Sequence, residues 1–177
     1  MRRVKDWLKT RAQLTPENIA IIDRTGKKVS TTNYRNWNSR CNQLAHYLRD
    51  ELGLKAGDFV AILSENCPEY LDLIFACNKL GLVLQHLNWR LSVMELSNIL
   101  RQTTPMALIY SNQFDDTIQY LSTEGFSEVK HWVSLSDTLL KGHRSLSDRL
   151  GCSKSDVPRV DIEYDSPWFI LYTGGTT

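Results

Sequence analysis

Apolar residues recur along this chain with two periods, and the change from one to the other predicts the order of its elements. Val4, Trp7, Leu8, Arg11 and Leu14 fall on one face of a short helix that Thr15-Pro16 ends. Ile19-Ala20-Ile21-Ile22-Asp23 predicts a strand, Arg24-Thr25-Gly26-Lys27 a turn, and Lys28 to Thr32 the returning strand of a hairpin. From Asn33 the period is helical. Tyr34, Trp37, Cys41, Leu44, Ala45 and Leu48 share a face, and Gly53 offers a left-handed stop.

After Gly57-Asp58 strands and helices alternate. Phe59-Val60-Ala61-Ile62-Leu63 is continuously apolar, as a strand buried on both faces requires. Asn66 is the expected cap of the next helix, with Pro68 and Glu69 in its first turn, a buried face of Tyr70, Leu73, Ile74 and Cys77, and a stop at Gly81. Val83-Leu84-Gln85-His86-Leu87 is the next strand. Ser92-Val93-Met94-Glu95 is a capping box that opens a helix through Leu96, Ile99 and Leu100. Ala107-Leu108-Ile109-Tyr110 predicts a strand, Phe114, Ile118 and Leu121 a helix, and His131-Trp132-Val133 a short strand. Residues 136–160 are polar and without period, a surface excursion with one short helix near Leu146. Pro167 to Tyr172 closes the pattern with one more buried strand. Strand–helix–strand units of this length demand crossovers. The expected fold is therefore α/β, mainly a parallel sheet with helices on both faces, preceded by an N-terminal helix and hairpin. Residues 1–177 are expected to form a single α/β subdomain.

Composition narrows the function. With 21 basic and 20 acidic residues the net charge is +1, which excludes the basic-patch kind of nucleic-acid binder. At 42% hydrophobic and 10% aromatic the chain can offset its conformational entropy by burial. No apolar run approaches the length of a membrane span, and no apolar stretch follows the basic Met1 to Lys9. Cys41, Cys67, Cys77 and Cys152 lack close pairing, so free thiols are expected and the cytoplasm is the default compartment; an even count leaves disulfides open.

Candidate chemistry gathers at the C-terminal end. The last strand runs into Thr173-Gly174-Gly175-Thr176-Thr177. Glycines let a backbone approach an anion and turn successive N–H groups toward it, and threonine hydroxyls add donors. The carboxyl end of a parallel strand is also where ligands of open α/β sheets bind. A turn into an exposed tail uses the same residues, and both readings stay open at this point. His46, His86, His131 and His143 lack metal-ligand spacing, and Glu65 and Glu69 suit a helix dipole as well as catalysis. No catalytic residue and no metal site is singled out. Asn88-Trp89-Arg90, at a strand end, fits either a ligand contact or a structural turn in which Arg90 pairs with a carboxylate.

Four segments taken together resemble the adenylate-forming (AMP-binding) superfamily, and within it the acyl-CoA synthetases. Tyr34-Arg35-Asn36-Trp37-Asn38-Ser39-Arg40-Cys41-Asn42-Gln43-Leu44-Ala45 is similar to that family's Y-R-E-L-N-x-x-x-N-x-L-A helix. Residues Gly57 to Glu69 are similar to G-D-x-V-A-I-x-x-x-N-x-P-E, and Gly81 to Leu91 to G-A-V-x-x-P-L-N-x-R-L, with Leu82 and His86 in place of Ala and Pro. Tyr172 to Thr177 resembles the opening of Y-T-S-G-T-T-G-x-P-K-G, with Gly174 in place of Ser.

The resemblance implies a fatty-acid–CoA ligase. Its complete enzyme activates a carboxylic acid with Mg-ATP, releases pyrophosphate from an acyl-adenylate, and passes the acyl group to coenzyme A. A carboxylate is a poor electrophile, and AMP makes a good leaving group. On this likeness Thr173, Gly174, Gly175, Thr176 and Thr177 are part of a phosphate-binding loop. The lysine of that loop and the family's C-terminal domain are not among these 177 residues, so an N-terminal piece that is inert alone and binds no cofactor is expected. Loss of neighbouring domains leaves dimerisation of such a piece open. The other reading is a self-sufficient flavodoxin-like or Rossmann-like binding or interaction module. Against it, Leu63-Ser64-Glu65-Asn66-Cys67 has none of the glycines a dinucleotide fingerprint carries there.

Overall fold

A computed structural model describes residues 6–25, 28–123, 126, 128–157 and 160–172. They fall into two compact units: Met1–Ala56, Asn66–Gly81 and Arg149–Ser166 in one, Gly57–Glu65, Leu82–Asp148 and Pro167–Thr177 in the other.

The first unit opens with helix α1 (Trp7–Leu14), whose N-terminus is capped by the Asp6 carboxylate accepting from the Lys9 amide at 2.9 Å. Strands β1 (Ile19–Asp23) and β2 (Ser30–Asn33) pair antiparallel, with an irregular register between Ile19 and Ile21. The expected hairpin is present, though β2 begins at Ser30 rather than Lys28. Asn33 then caps helix α2 (Tyr34–His46), which loosens into a π turn over Tyr47–Glu51 before Gly53 takes φ +68°. Leu8, Ile21, Trp37 and Cys41 form a small core, and Trp37 meets Phe75 edge-on at 4.8 Å.

Helix α3 (Pro68–Leu80) differs from expectation at its start. Cys67, not Asn66, occupies the cap position and makes no side-chain cap bond, because Pro68 at the first helical position fixes the entry one residue later. Leu73 and Cys77 are buried as expected, whereas Tyr70 and Ile74 are only half-buried and the polar Asp72, Asn78 and Lys79 are buried. The helix ends at Gly81, φ +69°. A Cβ there would lie 3.2 Å from Ile162 Cγ1 and 3.3 Å from the Ala56 Cβ. Gly81→Ala is expected to cost about 1–2 kcal/mol, from left-handed strain plus crowding, as the shift of a urea unfolding midpoint would show.

The 149–166 segment of this unit is mostly exposed, as a polar surface excursion should be, but it is fastened to α2. The α2 side chains reach its backbone: Asn42 Nδ2 donates to the Lys154 carbonyl at 3.1 Å and Gln43 Nε2 to those of Leu150 and Cys152 at 3.2 and 3.3 Å. His46 Nε2 lies 3.3 Å from the Ser155 carbonyl. Arg149, at the end of a 3₁₀ turn (Leu146–Gly151), is buried against Asp72. The polar composition foretold the exposure but not this fastening, because these contacts use backbone oxygens and one ion pair rather than an apolar face.

The second unit is a six-stranded sheet of β3 (Phe59–Leu63), β4 (Val83–His86), β5 (Ala107–Tyr110), β6 (His131–Ser134), β7 (Arg144–Ser145) and β8 (Phe169–Leu171). Its order is β7-β6-β5-β3-β4-β8, and every pairing is parallel. Helices α4 (Val93–Thr103) and α5 (Asp115–Thr123) supply Leu96, Leu100, Ile118 and Leu121 to a core shared with Ala61, Leu63, Leu108 and Tyr110 of the sheet. Ser92 and Glu95 form the expected capping box on α4. Strand β7 was unforeseen, since two residues carry no period. Strand β8 is present but not buried: Phe169 is 45% and Leu171 62% exposed, because β8 lies at the end of the strand order with β4 as its single neighbour.

Candidate functional site

All six strands run the same way, so their carboxyl ends share one edge, and residue 172 leaves β8 at that edge. The five glycine and threonine residues singled out from the sequence, Thr173 to Thr177, lie outside the described residues. What is described is the ground beside them.

Gln85, fully buried within β4, joins two neighbouring elements. Its Oε1 accepts from Thr103 Oγ1 at 2.8 Å, and its Nε2 donates to Tyr172 Oη at a longer 3.4 Å. Next in β4, His86 meets the Phe169 ring edge-on at 5.6 Å, and burial lowers its pKa, favouring the neutral imidazole at pH 7. Both neighbours therefore tie β4 to β8 just before the threonine-glycine stretch. A polar Gln inside an apolar strand pattern was the signal for this link, and sequence reasoning passed over it.

The structure supports the turn reading of Asn88-Trp89-Arg90. Asn88 Oδ1 accepts from the Arg90 amide at 3.1 Å, which closes the turn before Ser92 caps α4. Arg90 does not pair with a carboxylate among the described residues; its guanidinium lies 4.2 Å from the centroid of the Trp89 ring, and Trp89 in turn packs near Phe114. A bulky planar cation over an indole is a stable way to leave a positive charge at the surface, and Arg90 is exposed. Just past β3, Ser64 Oγ donates to the Glu65 carbonyl at 2.8 Å.

The remaining candidates are dispersed. His46 belongs to the first unit, and His131 and His143 sit along β6 and before β7. Among the described residues no three His, Cys, Asp or Glu side chains gather closely enough to hold a metal ion. All four cysteines are free thiols; Cys41 and Cys77 are buried, with burial pushing both thiols up, while Cys67 and Cys152 are half-exposed. No helix among the described residues is long and apolar enough to cross a membrane.

Fold and edge together define a wound parallel α/β sheet of the kind that presents ligands to its strand carboxyl ends. Five of its strands, in the order β4-β3-β5-β6-β7, are wound as in a flavodoxin-type sheet, so topology alone does not separate the two functional readings. Similarity does. The family model described as AMP-binding enzyme matches residues 8–177, and the chain belongs to that family. It is 30% identical over 179 residues to the long-chain-fatty-acid–CoA ligase FadD13 of Mycobacterium tuberculosis, with 100% of this chain and 33% of that protein covered. It is also 30% identical over 171 residues to the 2-succinylbenzoate–CoA ligase of Oceanobacillus iheyensis, covering 97% of this chain and 31% of that one. Among solved structures, the N-terminal domain of FACL13 from Mycobacterium tuberculosis superposes with a TM-score of 0.85 at 29% identity, over 99% of this chain and 42% of that one. The chain spans about a third of the length of the curated relatives it matches.

Proposed function

We propose that these residues are the N-terminal part of an ATP-dependent acyl-CoA ligase acting on a fatty acid. The observation that carries the proposal is the family match, which runs through nearly the whole chain and leads to relatives named as acid–CoA ligases. In the reaction, a carboxylate oxygen attacks the α-phosphorus of ATP, and pyrophosphate departs from the same phosphorus. The coenzyme A thiolate then attacks the acyl carbon, and AMP leaves with the electron pair of the broken bond. ATP, with its Mg, supplies the adenylyl group that turns the carboxylate into an electrophile.

The part proposed for this chain is to grip phosphate. Thr173 to Thr177 offer three hydroxyls, successive backbone N–H groups and no acidic side chain, a donor set suited to phosphate oxygens. Gln85 and the His86–Phe169 contact hold the strand that leads into the loop. Near-neutral charge and the absence of a basic surplus argue for a small-molecule partner rather than nucleic acid. Four free thiols fit a reducing compartment, and we place the protein in the cytoplasm.

Acid-dependent ATP–pyrophosphate exchange tests the proposal. These 177 residues alone are expected to give no exchange with any fatty acid and no micromolar affinity for Mg-ATP by calorimetry. A chimera in which they replace the matching third of the FadD13 ligase is expected to exchange pyrophosphate with long-chain fatty acids and to consume coenzyme A. Micromolar ATP binding by the isolated chain, or a folded chimera without exchange, overturns it.

A further inference from the structure

The first unit holds a cavity of about 300 Å³ between α1, the last turn of α3 and residues 156–162. It lies apart from the residues to which the proposed reaction gives work. Two ion pairs stand in its wall and leave it without net charge: Lys79 Nζ meets Asp6 Oδ2 at 2.6 Å, and Lys9 Nζ meets Asp156 Oδ2 at 2.7 Å. The first pair is the deeper one, since the Lys79 side chain is 3% exposed against 40% for Lys9. Val157, Val160 and Ile162 supply the apolar part of the lining. Ile162 is seated against Gly81, which has no side chain to push it away.

Two polar groups in this lining are left with hydrogen bonds to make. Lys79 carries three protons and gives two of them, to Asp6 and to Asn38 Oδ1 at 2.8 Å; the third has no acceptor among the described residues. Asn78, beside it on α3, is 7% exposed, and its carboxamide makes no hydrogen bond among the described residues. Neither of its amide atoms is wholly cut off from solvent, so the carboxamide opens on the cavity it lines. Polar groups so deeply buried are costly to leave unpaired, and either water or a ligand must take these bonds. Water gains nothing from Val157, Val160 and Ile162, whereas an occupant with an apolar body does.

We propose that this cavity binds a small neutral molecule with a primary carboxamide head and an aliphatic body. The head is the complement of Asn78: each carboxamide offers donors on nitrogen and an acceptor on oxygen, so two of them pair through two parallel hydrogen bonds. The ligand's carbonyl oxygen has a second lone pair for the spare proton of Lys79. Its body lies along Val157, Val160 and Ile162. A carboxylate head suits the site less, because it has no proton for Asn78 Oδ1 and must compete with Asp6 for Lys79. An ammonium head would face Lys79 and Lys9 and bring a charge that nothing in the cavity is left to balance. A volume of about 300 Å³ is at the small end of ligand sites, as a molecule of this kind requires.

Titration of the 177-residue chain with hexanamide, followed by ¹H–¹⁵N NMR, is the test, with hexanoate and hexylamine as probes of the same length. Hexanamide is expected to bind saturably with a Kd of about 1 mM, the range for so few atoms, and to shift the Asn78 side-chain amide signals most. Hexanoate and hexylamine are expected to bind at least about tenfold more weakly. Asn78→Leu removes the carboxamide, and Val160→Trp fills the cavity from its apolar side; each is expected to weaken hexanamide at least about tenfold. Urea midpoints check that both variants fold. If one does not, the other decides, and if neither does, the three probes on the unmodified chain decide. No saturation by about 20 mM hexanamide, which means a cavity for water only, overturns the proposal. So do hexanoate or hexylamine binding as tightly as hexanamide, shifts that centre away from the cavity, or undiminished binding in a folded variant. None of these readouts involves ATP or coenzyme A, so the ligase reading stands or falls separately.

Discussion

Asp72→Ala is expected to lower the stability of the chain by about 3–5 kcal/mol, the range for breaking a buried ion pair by removing one partner. Asp72 lies in the middle of α3 with its side chain wholly inaccessible to water. One of its oxygens, Oδ2, accepts from Arg40 Nε and Nη2 at 2.9 and 2.7 Å and from Arg149 Nη1 at 3.0 Å. Burial pushes this carboxyl above its ordinary pKa, and the two arginines pull it back. The carboxylate therefore neutralises two cations that come from different parts of the chain, α2 and the 149–166 segment. The cost of its loss falls unequally. The Arg40 side chain is 29% exposed and can turn to solvent, whereas the Arg149 side chain is 11% exposed and is left with Glu69 at 4.0 Å. Urea unfolding of Asp72→Ala, Arg149→Met and the double variant isolates the pair. The double variant is expected to be more stable than Asp72→Ala alone, because it no longer leaves a buried guanidinium unpaired. If both single variants lose under 1 kcal/mol, the cluster is not what holds the 149–166 segment in place.

That cluster also marks where the sequence stopped being legible. β3 announces itself, since five apolar residues in a row between Asp58 and Ser64 have no other comfortable place, and Phe59–Leu63 is its observed extent. The α4 box is equally local: Ser92 and Glu95 recognise each other across three residues. Arg149 and Asp72 are 77 positions apart, and nothing in the neighbourhood of either says that the other exists. The same limit applies to β8. Pro167 to Tyr172 is apolar enough to be a central strand, and local pattern does not distinguish a strand with two neighbours from one with a single neighbour. Candidate chemistry followed a similar division. The glycines and hydroxyls of residues 173–177 state their chemistry by composition, whereas the Gln85 contacts with Thr103 and Tyr172 arise only when β4, α4 and β8 come together.

In the ligase chimera, Gly175→Val is expected to reduce kcat/KM for ATP by about 10²-fold, or about 2.7 kcal/mol of transition-state stabilisation. The KM for the fatty acid is expected to stay within about threefold of the parent, because phosphate grip and acyl binding draw on different groups. Sterics and electrostatics act together at this position. Negative charge builds on the departing pyrophosphate, and backbone N–H groups can meet it only where no side chain intervenes. A branched residue at position 175 both fills that approach and restricts the backbone torsions that turn the amides inward. Thr176→Ala removes one hydroxyl donor and is expected to cost less, about tenfold, with Thr176→Ser restoring most of the loss. Tyr172→Phe is the control: its hydroxyl receives a long 3.4 Å bond from Gln85, and Gln85 keeps its 2.8 Å bond with Thr103, so kcat/KM is expected to change less than about threefold. The ordering Gly175→Val, then Thr176→Ala, then Tyr172→Phe distinguishes a phosphate grip from a mere connector. A connector would tolerate valine at 175 and respond instead to the residue that fastens the strand.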